Sequence, residues 1–149
     1  MNKRRNFLKS AGPLLGGTAF AAMASGEAPS RSRVAGGIRL GNLYFAGGIT
    51  GINPKHREDP SVSPGDIQEQ TQRALEAHKK NLEALGSSLE NVVKVTVFLA
   101  DPKNERRGMN EAYAKFFPKD PPARSAIGVQ FPDDITKVEI ELIAWVPEK

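Results

Sequence analysis

PPARSAIGVQ (121–130), the reversal FPDD (131–134) and TKVEIELIAWV (136–146) form the stretch that decides the fold of this chain. Two alternating apolar segments flank a Pro-Asp-Asp turn, the pattern of two strands. Side chains alternate with period two, so Arg124 shares a face with Ala126, Gly128 and Gln130, apart from Ala123, Ser125, Ile127 and Val129. The small neighbours leave room beside the guanidinium. On the second segment Val138, Ile140, Leu142, Ala144 and Val146 make a continuous apolar face, which leaves Lys137, Glu139, Glu141, Ile143 and Trp145 on the other. Carboxylates beside a tryptophan and an isoleucine describe a face that something else covers, either a partner subunit or a pocket.

Working outward, 149 residues with 39% apolar and 26% charged side chains suit one domain. A chain of this size buries roughly two-thirds of its unfolded surface. There is no cysteine, which excludes disulfides, thiolate catalysis and cysteine-held zinc or iron–sulfur centres. The formal charge is +4, but residues 1–24 hold four bases and no acid, so the rest balances at 17 bases and 17 acids. The basic excess therefore gives no reason to expect nucleic-acid binding.

KRRNFLK (3–9), an apolar run from Ala11 to Met23 and small residues at Ala22-Met23-Ala24 follow the layout of an export signal, and the twin arginines mark the Tat route. Cleavage near Ala24 and a periplasmic or secreted mature protein are expected. The run is too short and glycine-rich for a permanent anchor of ~20 residues. Residues 25–33 read as a flexible joint and 34–149 as the folded domain.

Within that domain Val34–Leu40 and Leu43–Ile49 read as strands around a Gly41-Asn42 turn, with bulges or close approaches at Gly36-Gly37 and Gly47-Gly48. Asn53–Gly65 reads as an exposed loop. Ile67, Thr71, Ala74, Leu75, His78, Leu82 and Leu85 predict a helix over Asp66–Leu85, capped by Asp66 and stopped by Gly86. VVKVTVFL (92–99) predicts a central strand, and Met109, Ala112, Tyr113, Phe116 and Phe117 a second helix over Glu105–Phe117. The order ββ-α-β-α-ββ gives an α+β two-layer sandwich of about six strands and two helices. It leaves one sheet face bare, which predicts a closed homo-oligomer.

Chemistry narrows to few residues. His56 sits in a charged loop and His78 on the helix stripe, the place of a packing histidine. Glu139-x-Glu141 puts two carboxylates about 7 Å apart on one face; Arg124 and Lys137 compete for them, so no metal is expected. Arg124 in a recess offers two parallel N–H donors to a small acid, and Glu139 could orient or deprotonate a water against an electrophilic carbon held by that grip. A ligand-free Arg124–Glu139 ion pair is the alternative.

PPARSA (121–126), VEIELIA (138–144) and N-x-x-Y-x-x-F-F from Asn110 to Phe117 closely resemble the RidA/YjgF family of enamine/imine deaminases, as do GNLYFAGGITGINP and VVKVTVFLAD. The likeness spans residues 36–146. It implies a chorismate-mutase-like fold, a homotrimer with ligand sites between subunits, and cofactor-free hydrolysis of 2-enamine or 2-imino acids to 2-oxo acids and ammonia. By position it gives Arg124 the substrate carboxylate and Glu139 the attacking water, with Asn110, Gly48 and Ala126 lining the cleft. Val34, Gly47, Ile49 and Ala126 depart from the pattern, standing where the family carries a tyrosine, a hydroxyl residue, a glutamine and often a cysteine. Those departures imply a larger, more apolar cleft that suits a bulkier imino acid, slower turnover, or binding without catalysis. The rival function is a non-catalytic trimer binding small carboxylates or apolar segments of stressed proteins in the same clefts.

Overall fold

A computed structural model describes residues 28–148. The export signal predicted over 1–24 therefore lies outside the described residues. The strands are β1 Arg31–Val34, β2 Gly37–Leu40, β3 Leu43–Ala46, β4 Ile49–Thr50, β5 Val92–Leu99, β6 Ala123–Gly128 and β7 Val138–Trp145. The helices are α1 Pro54–Glu58, α2 Ile67–Ala84 and α3 Pro102–Ala114, with a 3-10 turn at Leu89–Asn91. Asp66 starts α2 through a capping box, its side chain accepting from the Glu69 amide while Glu69 accepts from the Asp66 amide. Gly86, at φ +75°, takes the left-handed turn that stops it.

All seven strands join one mixed sheet in the order β1-β2-β3-β7-β5-β6, with β4 also on β7. β6 runs parallel to β5, and α3 makes the crossover between them. Helices α2 and α3 cover one face. Under them Val138, Ile140 and Ala144 of β7, Val95, Val97 and Leu99 of β5, and Leu75, Leu82 and Met109 of the helices are fully buried. The apolar face read along β7 is thus the core face. Opposite it Phe45, Ile127 and Trp145 remain 39%, 49% and 42% exposed, so the second layer covers one side only.

The α+β sandwich stands, its strand order is now fixed, and several boundaries are corrected. β6 and β7 are not neighbours: β5 lies between them, because the β5-α3-β6 crossover occupies that edge before β7 returns to the other side of β5. Arg31–Arg33 of the expected joint, with Val34, pair with β2, since Gly36 at φ +68° turns the chain and splits the expected Val34–Leu40 strand into a hairpin. Asn53–Gly65 contains the one-turn helix α1, capped by Asn53 and opened by Pro54, and α3 begins at Pro102 because the Asp101 side chain accepts from the Lys103 and Asn104 amides.

Candidate active site

Helix α3 and the edge strand β6 build the first half-site. Asn110 and Tyr113, three residues apart, share one side of α3. The Arg124 Nη2 donates to Asn110 Oδ1 at 2.7 Å, and its Nη1 points to Met109 Sδ at 3.9 Å. The guanidinium carbon stands 4.4 Å from the centre of the Tyr113 ring, within cation–π range. Burial pushes the Tyr113 hydroxyl up to about 12, against the lowering pull of the Arg124 charge. Arg124 itself stays exposed, held from one side and open on the other. Ala126 lies two residues along the same face of β6, partly buried against the core.

Strand β7 and the β3–β4 connection build the second. Phe45 pairs with Ile143 while Ile49 pairs with Ile140, so one extra residue sits in the Gly47-Gly48 stretch, the bulge read from the sequence. The Glu139 carboxylate occupies the space that the bulge opens: a Cβ on Gly48 would lie 1.8 Å from Glu139 Oε1. Thr50 and Phe98 flank Glu139 on the neighbouring strands. Among the described residues no cation comes within ion-pairing distance of Glu139; Lys137, its expected competitor, pairs with Glu105 of α3.

The two halves do not meet within one chain. Arg124 pairs with Val95 and Val95 with Leu142, all on the helix-covered face, whereas Glu139 pairs with Phe98 and Phe98 with Ile127 on the bare face. An Arg124–Glu139 ion pair inside one subunit is therefore ruled out by the alternation of side chains and by β5 standing between. Of the departing positions, Val34 and Ile49 pack against the core, and Gly47 is exposed at the bulge. Neither half-site lines the hollow of about 700 Å³ between Lys79, Glu83, Leu89, Phe116 and Lys119.

The family described as Endoribonuclease L-PSP matches residues 25–146. The chain belongs to this family, the YjgF/RidA family. A RutC family protein of Pyrococcus horikoshii is 45% identical over 109 residues, 72% of this chain and 82% of its own length. The 2-iminobutanoate/2-iminopropanoate deaminase of Escherichia coli is 37% identical over 112 residues, 72% of this chain and 83% of its own. The crystal structure of the Escherichia coli YjgF gene product superposes with a TM-score of 0.63 at 34% identity, over 74% of this chain and 86% of that one. The YjgF/RidA fold carries the architecture above, with Arg124 and Glu139 on opposite sides of its sheet. Tyr113 was legible only as part of an apolar stripe; the N-x-x-Y spacing, which sets Asn110 and Tyr113 on one side of the helix, was the signal for its place under Arg124.

Proposed function

We propose that this YjgF/RidA protein hydrolyses reactive 2-enamine and 2-imino acids to 2-oxo acids and ammonia, as an exported homotrimer whose sites form between subunits. The observation that carries the reading is the split of the site. An exposed guanidinium braced by Asn110 and Tyr113 lies on one side of the sheet, and a carboxylate with no ion-pair partner among the described residues on the other, beside an apolar face that a second copy would cover. A closed ring brings the Arg124 half of one subunit to the Glu139 half of the next.

In such a cleft the Arg124 fork takes the substrate carboxylate in two parallel hydrogen bonds and keeps the adjoining C=N carbon in place. Glu139 accepts a proton from water and directs its oxygen to that carbon. An enamine first takes a proton at C3 to become the imine. Water then adds across the C=N bond, the proton held by Glu139 passing to the nitrogen. The hydroxyl proton of the adduct follows it as ammonia leaves and the C=O forms, so Glu139 ends ionised and no cofactor enters the balance. The names of the deaminase relatives support this chemistry. The twin-arginine leader supports export, with substrate arising outside the cytoplasm. An imino acid generated by an amino-acid oxidase and followed by absorbance tests the reaction: wild type should accelerate its decay and Arg124→Ala should not. Equal rates would leave the second reading, a trimer that binds small carboxylates at Arg124 without turnover.

A further inference from the structure

Two of the three buried polar side chains of α2 reach the main chain on either side of Glu139, and the chemistry above leaves both unused. Gln70 and His78 are both 0% exposed and lie eight residues apart, two turns along one side of the helix. Gln70 Oε1 accepts from the Lys137 amide at 3.0 Å, while its Nε2 donates to Ile135 O at 2.9 Å and Gly65 O at 3.0 Å. His78 Nε2 lies 2.7 Å from Ile140 O. A carbonyl only accepts, so Nε2 carries the proton, and Nδ1 is left buried with no partner among the described residues. An apolar residue would fill that core position without stranding a ring nitrogen, and the stranded nitrogen is a burden on stability.

We infer that Gln70 and His78 are positioning residues for Glu139, an inference that rests on the deaminase reading. Their contacts fall on the main chain at Lys137 and Ile140, on either side of Glu139. Ladder pairing to Thr50 and Phe98 fixes Glu139 within the sheet. The two side chains add what a ladder lacks, ties from the helix layer that prevent β7 from sliding or tilting along its length. The α2 main chain also sets the approach of β4: a Cβ on Gly51, just past that strand, would lie 1.7 Å from the main-chain oxygen of Gln70, so the segment next to the Gly48 bulge packs directly on this helix. A carboxylate that steers water must hold its place to within a fraction of an ångström, and a displacement of about 1 Å lowers turnover by up to a hundredfold.

The test compares kcat and KM of wild type, His78→Leu, His78→Gln and Gln70→Met, alone and in the Glu139→Gln background, using oxidase-generated imino acid. Leucine removes the donor to Ile140 O; glutamine restores an N–H at the Nε2 position. The expected result is a roughly tenfold fall in kcat for His78→Leu with KM unchanged, recovery in His78→Gln, a similar fall for Gln70→Met, and no further fall when Glu139 is already replaced. Gln70→Met carries the test if His78→Leu does not fold. Unchanged kcat, or equal losses with and without Glu139, would overturn the positioning role and leave the deaminase reading standing. Equal turnover by wild type and Glu139→Gln would instead remove Glu139 from the chemistry, and the inference with it.

Discussion

Co-assembly of two inactive chains should restore activity, and the amount restored follows from the geometry. Arg124 and Glu139 sit on strands separated by β5, two strand spacings or about 10 Å apart, with side chains on opposite faces. If they cooperate, they do so from different subunits. In a cyclic trimer each site then takes Arg124 from one copy and Glu139 from the next. Arg124→Ala and Glu139→Gln chains, unfolded together in equal amounts and refolded, give mixed trimers in about three-quarters of cases, and in every mixed trimer one site of three keeps both residues. Turnover should return to about a quarter of wild type, whereas each variant alone loses on the order of a hundredfold or more. The assay is the decay of oxidase-generated imino acid, with trimer content checked by sedimentation. Turnover no greater than the average of the two parents, in a mixture shown to exchange subunits, would refute a site shared between copies.

Further outcomes follow from single contacts. Gly48→Ala should fold normally but lose turnover, because the added Cβ meets only the side chain of Glu139, 1.8 Å from Oε1, and must push the carboxylate aside; a crystal structure with Glu139 unmoved would contradict this. Tyr113→Leu removes the ring beneath Arg124 and should raise KM for imino acids about two- to fivefold, while Tyr113→Phe, which keeps the ring, should not. Burial holds the His78 pKa below its ordinary value, partly offset by the hydrogen bond to Ile140, so the unfolded chain binds the extra proton first. Stability should therefore be full above about pH 6.5 and fall as pH drops below it, and urea midpoints of His78→Gln should lack that share of the slope.

The parts of the fold legible in the sequence were those whose local pattern and tertiary role agree. The α2 caps, the β-branched run of β5 and the core face of β7 are each specified within a few residues, and each formed where the residues placed it. Pairing was not so specified. Nothing in 121–146 records that β5 lies between β6 and β7, because the crossover through α3 is chosen by packing of the whole sheet. The same gap hid the division of the site: Arg124 and Glu139 were legible as unusual charges, yet which faces they take relative to one another depends on register with β5. The Gly47-Gly48 bulge was readable as a bulge, but its purpose, space for the Glu139 carboxylate, appears only once β4 is set against β7.

Each half-site is rigid within its own subunit, Arg124 through Asn110 and Tyr113, Glu139 through the ladder of β7. The gap between them would then be set by the interface alone, and residues distant from both should control turnover. Trp145 is the clearest case: six residues from Glu139 along β7, about 20 Å away, 42% exposed and paired with Leu43 on the bare face. Trp145→Glu would place a charge where the proposed second copy packs, and burying an unpaired carboxylate is far more unfavourable than losing the indole contact. The core behind it would be untouched, since Ala144 and Val146 face the other way at 0% exposure. The variant should therefore remain folded by circular dichroism, sediment as a monomer and lose imine turnover with Arg124 and Glu139 both intact. A folded monomer with undiminished turnover would show that one subunit holds a complete site, and the split of the two charges across the sheet would then have to be explained without a partner.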